Sequence, residues 1–149
     1  MTDFPALLRR RLAASSGLYR DFAAQLTPEL LAARLPGVRS APVWNQLWCV
    51  IAARESYERW ARAGAWQGFE CTLTETGDPG AVHAALESSG EAMDAWVAGL
   101  DAEDEASWAI ALHLLEHETQ HHGQLIRYLY GVPITLPRSW IEAYALDEV

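Results

Sequence analysis

The sequence predicts an all-α fold, a bundle built on four long helices. Three observations predict it. Apolar residues recur three and four apart over four long stretches, the interval that lines one face of a helix. Proline or acidic residues open these stretches, and glycine closes two of them. The chain has 149 residues, 50% of them apolar, which suits one domain over 1–149 able to bury a core without staples.

Residues 4–26 read as the first helix. Pro5 suits its first turn, Leu8, Leu12, Tyr19, Phe22 and Leu26 form its apolar stripe, and Arg9, Arg10, Arg11 and Arg20 form a solvated face. Thr27 caps and Pro28 begins a short helix to about Arg34, followed by a Pro36-Gly37 turn. Ser40-Ala41-Pro42 opens the second long helix, which runs to about Arg62. Val43, Trp44, Leu47, Trp48, Val50, Ile51, Tyr57 and Trp60 make it apolar on most sides, as expected for a helix in the middle of a bundle. Gly64 ends it.

Residues 64–78 are the longest connection, with room for two short extended pieces; a link of this kind lets neighbouring helices run parallel. Asp78-Pro79 caps the third helix, to about Leu100, which carries Val82, Leu86, Met93, Trp96, Val97 and Leu100 and an isolated His83, read as a surface or packing residue. The acidic turn Asp101–Glu105 complements the dipole of the fourth helix, which runs from about Glu105 to Tyr130 and stops at Gly131-Val132-Pro133. Residues 131–149 hold Ile134, Leu136, Trp140, Ile141 and Tyr144. They are too apolar to stay in water and are expected to pack back on the bundle.

Four of the five histidines fall within the fourth helix, in His113-Leu-Leu-Glu-His117-Glu-Thr-Gln-His121-His122-Gly-Gln-Leu125. His113, His117 and His121 are four apart, which stacks them one turn apart on one face. Two imidazoles so placed can share a divalent metal, since neutral imidazole is a common ligand for zinc, nickel and iron. At about 100° per residue, Ile110, Ala111, Leu114, Leu115, Leu125, Ile126, Tyr128 and Leu129 span a broad apolar arc. His121 lies at one edge of that arc and His117 just beyond, whereas Glu118 and His122 lie nearer its middle. Two ligand registers therefore stand open: His117 with His121, to which His113 can add, or Glu118 with His122.

The bulk composition narrows the function classes. With 11 basic and 20 acidic residues the formal charge is −9, which disfavours nucleic acid as a partner. Cys49 and Cys71 do not make a disulfide framework and suit free thiols in a reducing cytosol. Arg9-Arg10-Arg11 interrupts the apolar stretch near the start, so no secretory signal is read there, and no run reaches the roughly 18 apolar residues of a membrane span. The expected location is the cytoplasm, without membrane association.

His117-Glu-Thr-Gln-His121-His122-Gly123-Gln124-Leu125 resembles the late-helix motif of the DinB/YfiT-like metalloenzyme family, H-x-x-x-H followed by Arg and Gly-Gln, with His122 standing where the Arg usually is. Gln46-Leu-Trp-Cys-Val-Ile-Ala-Ala-Arg-Glu-Ser-Tyr57 resembles the family's second helix, and Gly131-Val-Pro133 its ending. The likeness covers nearly the whole chain by helix order. It implies a four-helix bundle with a long crossover connection between helix 2 and helix 3, and a divalent metal, zinc or nickel, held by His117 and His121 with one donor from the second helix. At the family's histidine position there this chain has Cys49, whose thiolate would serve as a zinc ligand and whose neutral thiol would leave the site degenerate.

The resemblance further implies a small-molecule transferase, with a low-molecular-weight thiol as co-substrate, or a hydrolase. His113 would then be a supporting partner of the ligands, and Glu118, Glu116 or His122 a base. The competing expectation is a non-catalytic bundle that has lost the metal. A homodimer is compatible with either, C2 pairs being the commonest assembly.

Overall fold

The structure is a computed structural model describing residues 3–147; the four outermost residues of the chain lie outside the described residues. It is all-helical. Six helices run in the order α1 (Phe4–Ala23), α2 (Pro28–Ala32), α3 (Val43–Ala63), α4 (Pro79–Ala98), α5 (Glu105–Gly131) and α6 (Arg138–Tyr144), with no strand among the described residues.

Side-chain caps fix most of the starts by taking up N–H groups that have no partner within the helix. Asp3 accepts from Ala6, Thr27 from Leu30, Asp78 from Gly80 and Asp104 from Ser107. Proline sits in the first turn of α1, α2 and α4, where its missing N–H costs nothing. Gly64 ends α3 at φ 69°, a left-handed conformation that favours glycine. The first helix stops at Ala23 rather than Leu26, and the third long helix at Ala98 rather than Leu100.

The long connection forms no strand because α3 satisfies its backbone instead. Ser56 Oγ donates to the Glu70 carbonyl at 3.0 Å and accepts from the Glu70 N–H at 3.2 Å. Arg59 donates to the same carbonyl at 2.8 Å, and Thr72 gives its N–H and its hydroxyl to Glu55, each at 2.9 Å. The segment after α5 does pack back, and part of it is the helix α6. Trp140 is fully buried there, its indole N–H donating to the Leu18 carbonyl at 2.8 Å.

Among the long helices, α1 packs on α4 and α5, and α3 packs on the same two. The interior divides into two apolar clusters. One holds Tyr19, Phe22, Leu47, Ile51, Leu86, Leu125 and Trp140; the other holds Leu12, Tyr57, Met93, Trp96, Trp108 and Leu114. On each long helix the residues between these clusters are small or polar: Ser15 and Ser16 on α1, Arg54 on α3, Ser89 and Gly90 on α4, Glu118 on α5. A buried polar layer thus crosses the core. No helix among the described residues is long and apolar enough to cross a membrane.

Candidate functional site

The α5 histidines sort into two directions, and both registers open in the sequence are occupied by defined partners. His117 and His121 meet Tyr57 and Gln46 of α3, whereas Glu118 lies between Ser15 of α1 and Arg54 of α3, and His122 between Ser15 and Tyr144 of α6. Residues i and i+1 of a helix differ by about 100°, so adjacent residues serve different neighbours.

In the first direction, His117 Nε2 and His121 Nε2 stand 3.1 Å apart. The outer nitrogens are also engaged: His121 Nδ1 lies 2.6 Å from Gln46 Oε1, and His117 Nδ1 lies 3.4 Å from the Tyr57 hydroxyl. These contacts fix the protons. Gln46 Oε1 can only accept, so His121 carries its proton on Nδ1 and offers a lone pair at Nε2. His117 must then donate its Nε2–H to that lone pair, which leaves its own Nδ1 as the acceptor for the Tyr57 O–H. The donors run in one sense, Tyr57 to His117 to His121 to Gln46. Burial keeps both rings neutral: it pushes the His117 pKa down, and that of His121 down to about 4, with neighbouring His117 and His122 adding to the effect.

The separation of the two nitrogens is compatible with a shared divalent metal. Two nitrogens bound at about 2.0–2.1 Å in a tetrahedral site lie about 3.3 Å apart, close to the separation seen here. Gln46 and Tyr57 stand where outer partners of metal-bound imidazoles are needed. For both Nε2 atoms to be free, His117 has only to shift its proton to Nδ1, where the Tyr57 oxygen then accepts it.

No hydrogen bond among the described residues joins His113 or Cys49 to this pair. His113 is exposed, stacked on Tyr57 at 5.3 Å and paired with Glu116 at 3.2 Å. Cys49 is half-buried on α3, and burial raises its pKa, so its thiol stays protonated at neutral pH. Cys71 in the long connection is shifted up as well, by burial foremost, with Cys49 among the smaller contributors. Among the described residues no three His, Cys, Asp or Glu side chains converge as a ready-made metal cage.

In the second direction, Glu118 is fully buried and fully engaged. Arg54 Nε donates to one carboxylate oxygen at 2.5 Å, Ser15 donates to the other, and Tyr19 donates to the Glu118 carbonyl at 2.7 Å. Arg54 also reaches the Leu86 carbonyl at 2.9 Å, Ser16 at 3.1 Å and Ser89 at 3.3 Å. Because Ser15 gives its proton to Glu118, it accepts from His122 Nε2–H at 3.1 Å, and His122 Nδ1 accepts from the Tyr144 hydroxyl at 2.6 Å. Burial foremost, with Arg54 and Arg11 adding to it, drives His122 to a pKa of about 4, against an opposing effect of Glu118. Glu118 is thereby committed to a guanidinium and a serine, and His122 to two hydroxyls.

Sequence reasoning missed Arg54, Ser15 and Gln46. Arg54 carried one usable signal, a charge within a helix apolar on most sides, and such a charge is almost never buried without a partner. Ser15 and Gln46 carried none, since a serine on α1 and a glutamine at the start of α3 are ordinary surface residues until the helices pack.

Fold and site together define an all-helical protein with a buried polar layer and a facing imidazole pair. No family model, curated protein or solved structure matches this chain.

Proposed function

We propose that this chain is a divalent-metal-dependent enzyme of the DinB-like kind, with zinc or nickel held by His117 and His121, acting on a small molecule as a transferase, with a low-molecular-weight thiol as co-substrate, or as a hydrolase. On this reading the four long helices are a DinB-like four-helix bundle, and residues 64–78 are its crossover. The observation that carries the reading is the 3.1 Å approach of two neutral imidazole nitrogens whose far sides are held by Gln46 and Tyr57. A bound metal with an open position would polarise a carbonyl or lower the pKa of a water or thiol. The chain's own residues present the two nitrogens, fix their tautomers and exclude water from their far sides. Cys49 is the candidate third donor, on the same helix as Gln46 and Tyr57, and would have to lose its proton to serve. His113, Glu118 and His122 hold no metal in this reading. A cytoplasmic location and a homodimer belong to it as expectations.

Metal analysis and melting of untagged protein test the proposal. Zinc or nickel at 100 times its Kd should stabilise the native chain by about 2.7 kcal/mol. His117→Ala and His121→Ala should each abolish the gain. Melting curves that ignore added metal would refute the proposal. They would favour the second reading, a non-catalytic bundle, for which the protonated Cys49 thiol and the missing third donor speak.

A further inference from the structure

His117 is one corner of a closed ring of four aromatic side chains. Around that ring the centroid separations are 5.9 Å from His117 to Tyr57, 6.1 Å from Tyr57 to Trp66, 6.3 Å from Trp66 to Phe69 and 6.1 Å from Phe69 back to His117. Tyr57 stands steeply to its two neighbours, at 73° and 78°, while Trp66 and Phe69 lie within 20° of parallel. Trp60 packs behind Trp66 at 5.7 Å and Trp48 behind Phe69 at 5.8 Å. The outer two rings remain in water, Trp66 49% and Phe69 38% exposed. Contiguous exposed aromatic surface beside a donor pair is what a ligand site presents and what a plain packing cluster avoids. The exposure is built in, because the connection carrying both rings is tied to α3 through Glu70 and Thr72.

We propose that Tyr57, Trp66, Phe69 and His117 form the substrate-recognition element, and that it takes a neutral aromatic or flat apolar group whose donor atom reaches the His117–His121 pair. The inference rests on the metal reading for the position of that donor atom. Charge selects the ligand class. Tyr57, Trp66 and Phe69 bring faces without charge to the site. Aromatic faces alone would also attract an organic cation, but a dication on the His117 and His121 nitrogens would repel one at this distance. A neutral ring gains stacking without that penalty.

Imidazole and 4-phenylimidazole titrated against the zinc-loaded protein, read by tryptophan fluorescence, test this. The phenyl compound should bind about tenfold tighter or better, the return expected for burying one aromatic ring. Trp66→Ala and Phe69→Ala should bring the ratio near one and leave imidazole itself unaffected. Equal affinities in the wild type, or tighter binding of benzyltrimethylammonium than of 4-phenylimidazole, would overturn the proposal. The metal-free protein separates the two readings. If zinc fails to bind, the metal site falls, and the aromatic element is then judged by whether 4-phenylimidazole outbinds imidazole without metal and loses that advantage in Phe69→Ala. No such advantage would overturn it independently.

Discussion

Replacing Glu118 by Leu removes the counter-charge of Arg54 while leaving the guanidinium in place. Arg54 is 1% exposed and Glu118 fully buried, so water cannot take over the lost contact. The remaining partners of Arg54, the Leu86 carbonyl, Ser16 and Ser89, are all neutral. Breaking a buried pair on one side costs about 3–5 kcal/mol, and Ser15 loses the acceptor for its proton as well. We expect a loss of about 4 kcal/mol, which in a domain of this size lowers Tm by roughly 8–16 °C. Replacing both partners, Arg54→Met with Glu118→Leu, should recover most of the loss, because an apolar pair carries no desolvation penalty. Urea denaturation of the wild type, both single variants and the double variant gives the coupling directly. A single Glu118→Leu variant within about 1 kcal/mol of wild type would refute this account of the polar layer. So would a double variant no more stable than the single ones.

Further outcomes follow from the same geometry. His121 and His122 have folded pKa values of about 4 against an ordinary 6.5, so the unfolded chain takes up protons first as pH falls. Their contribution is whole above pH 6.5 and is lost between 6.5 and 4, up to roughly 3 kcal/mol for each ring; urea midpoints in metal-free buffer at pH 7.5 and 4.5 should diverge accordingly, and a flat profile would contradict the burial of both. Tyr57→Phe removes the oxygen that accepts from His117 in the metal-ready tautomer and should weaken zinc binding by about 10–100-fold in a competition titration, with His117 and His121 intact. Trp140→Ala empties a fully buried site and breaks the bond to Leu18, at a cost of about 3–5 kcal/mol in the same denaturation assay.

Helices were legible in the sequence because their signals are local. Thr27, Asp78 and Gly64 act on residues within one turn, and the structure puts each at a helix boundary. The helical conformation of Arg138–Tyr144 was not legible, since no side chain caps its start as Thr27 caps α2, and Trp140 is held by α1, far away in sequence. The spacing of His117 and His121 was visible, but their approach and their proton order depend on Gln46 and Tyr57, which only packing brings near. The helical wheel placed Glu118 and His122 toward the middle of the apolar arc, and both are buried. What occupies them could not be read, because Arg54, Ser15 and Tyr144 come from three other helices.

The hydroxyls and imidazole leading from Tyr144 through His122 and Ser15 to Glu118 all hand their protons the same way. The carboxylate at its end can only accept, so the order is set from the buried side. The docking of the last helix is therefore registered at the carboxylate in the centre of the molecule, one residue from His117. A change at the rim as small as Tyr144→Phe takes away the first proton of the sequence and leaves His122 Nδ1 without its donor, while Ser15 still holds the ring from the other side.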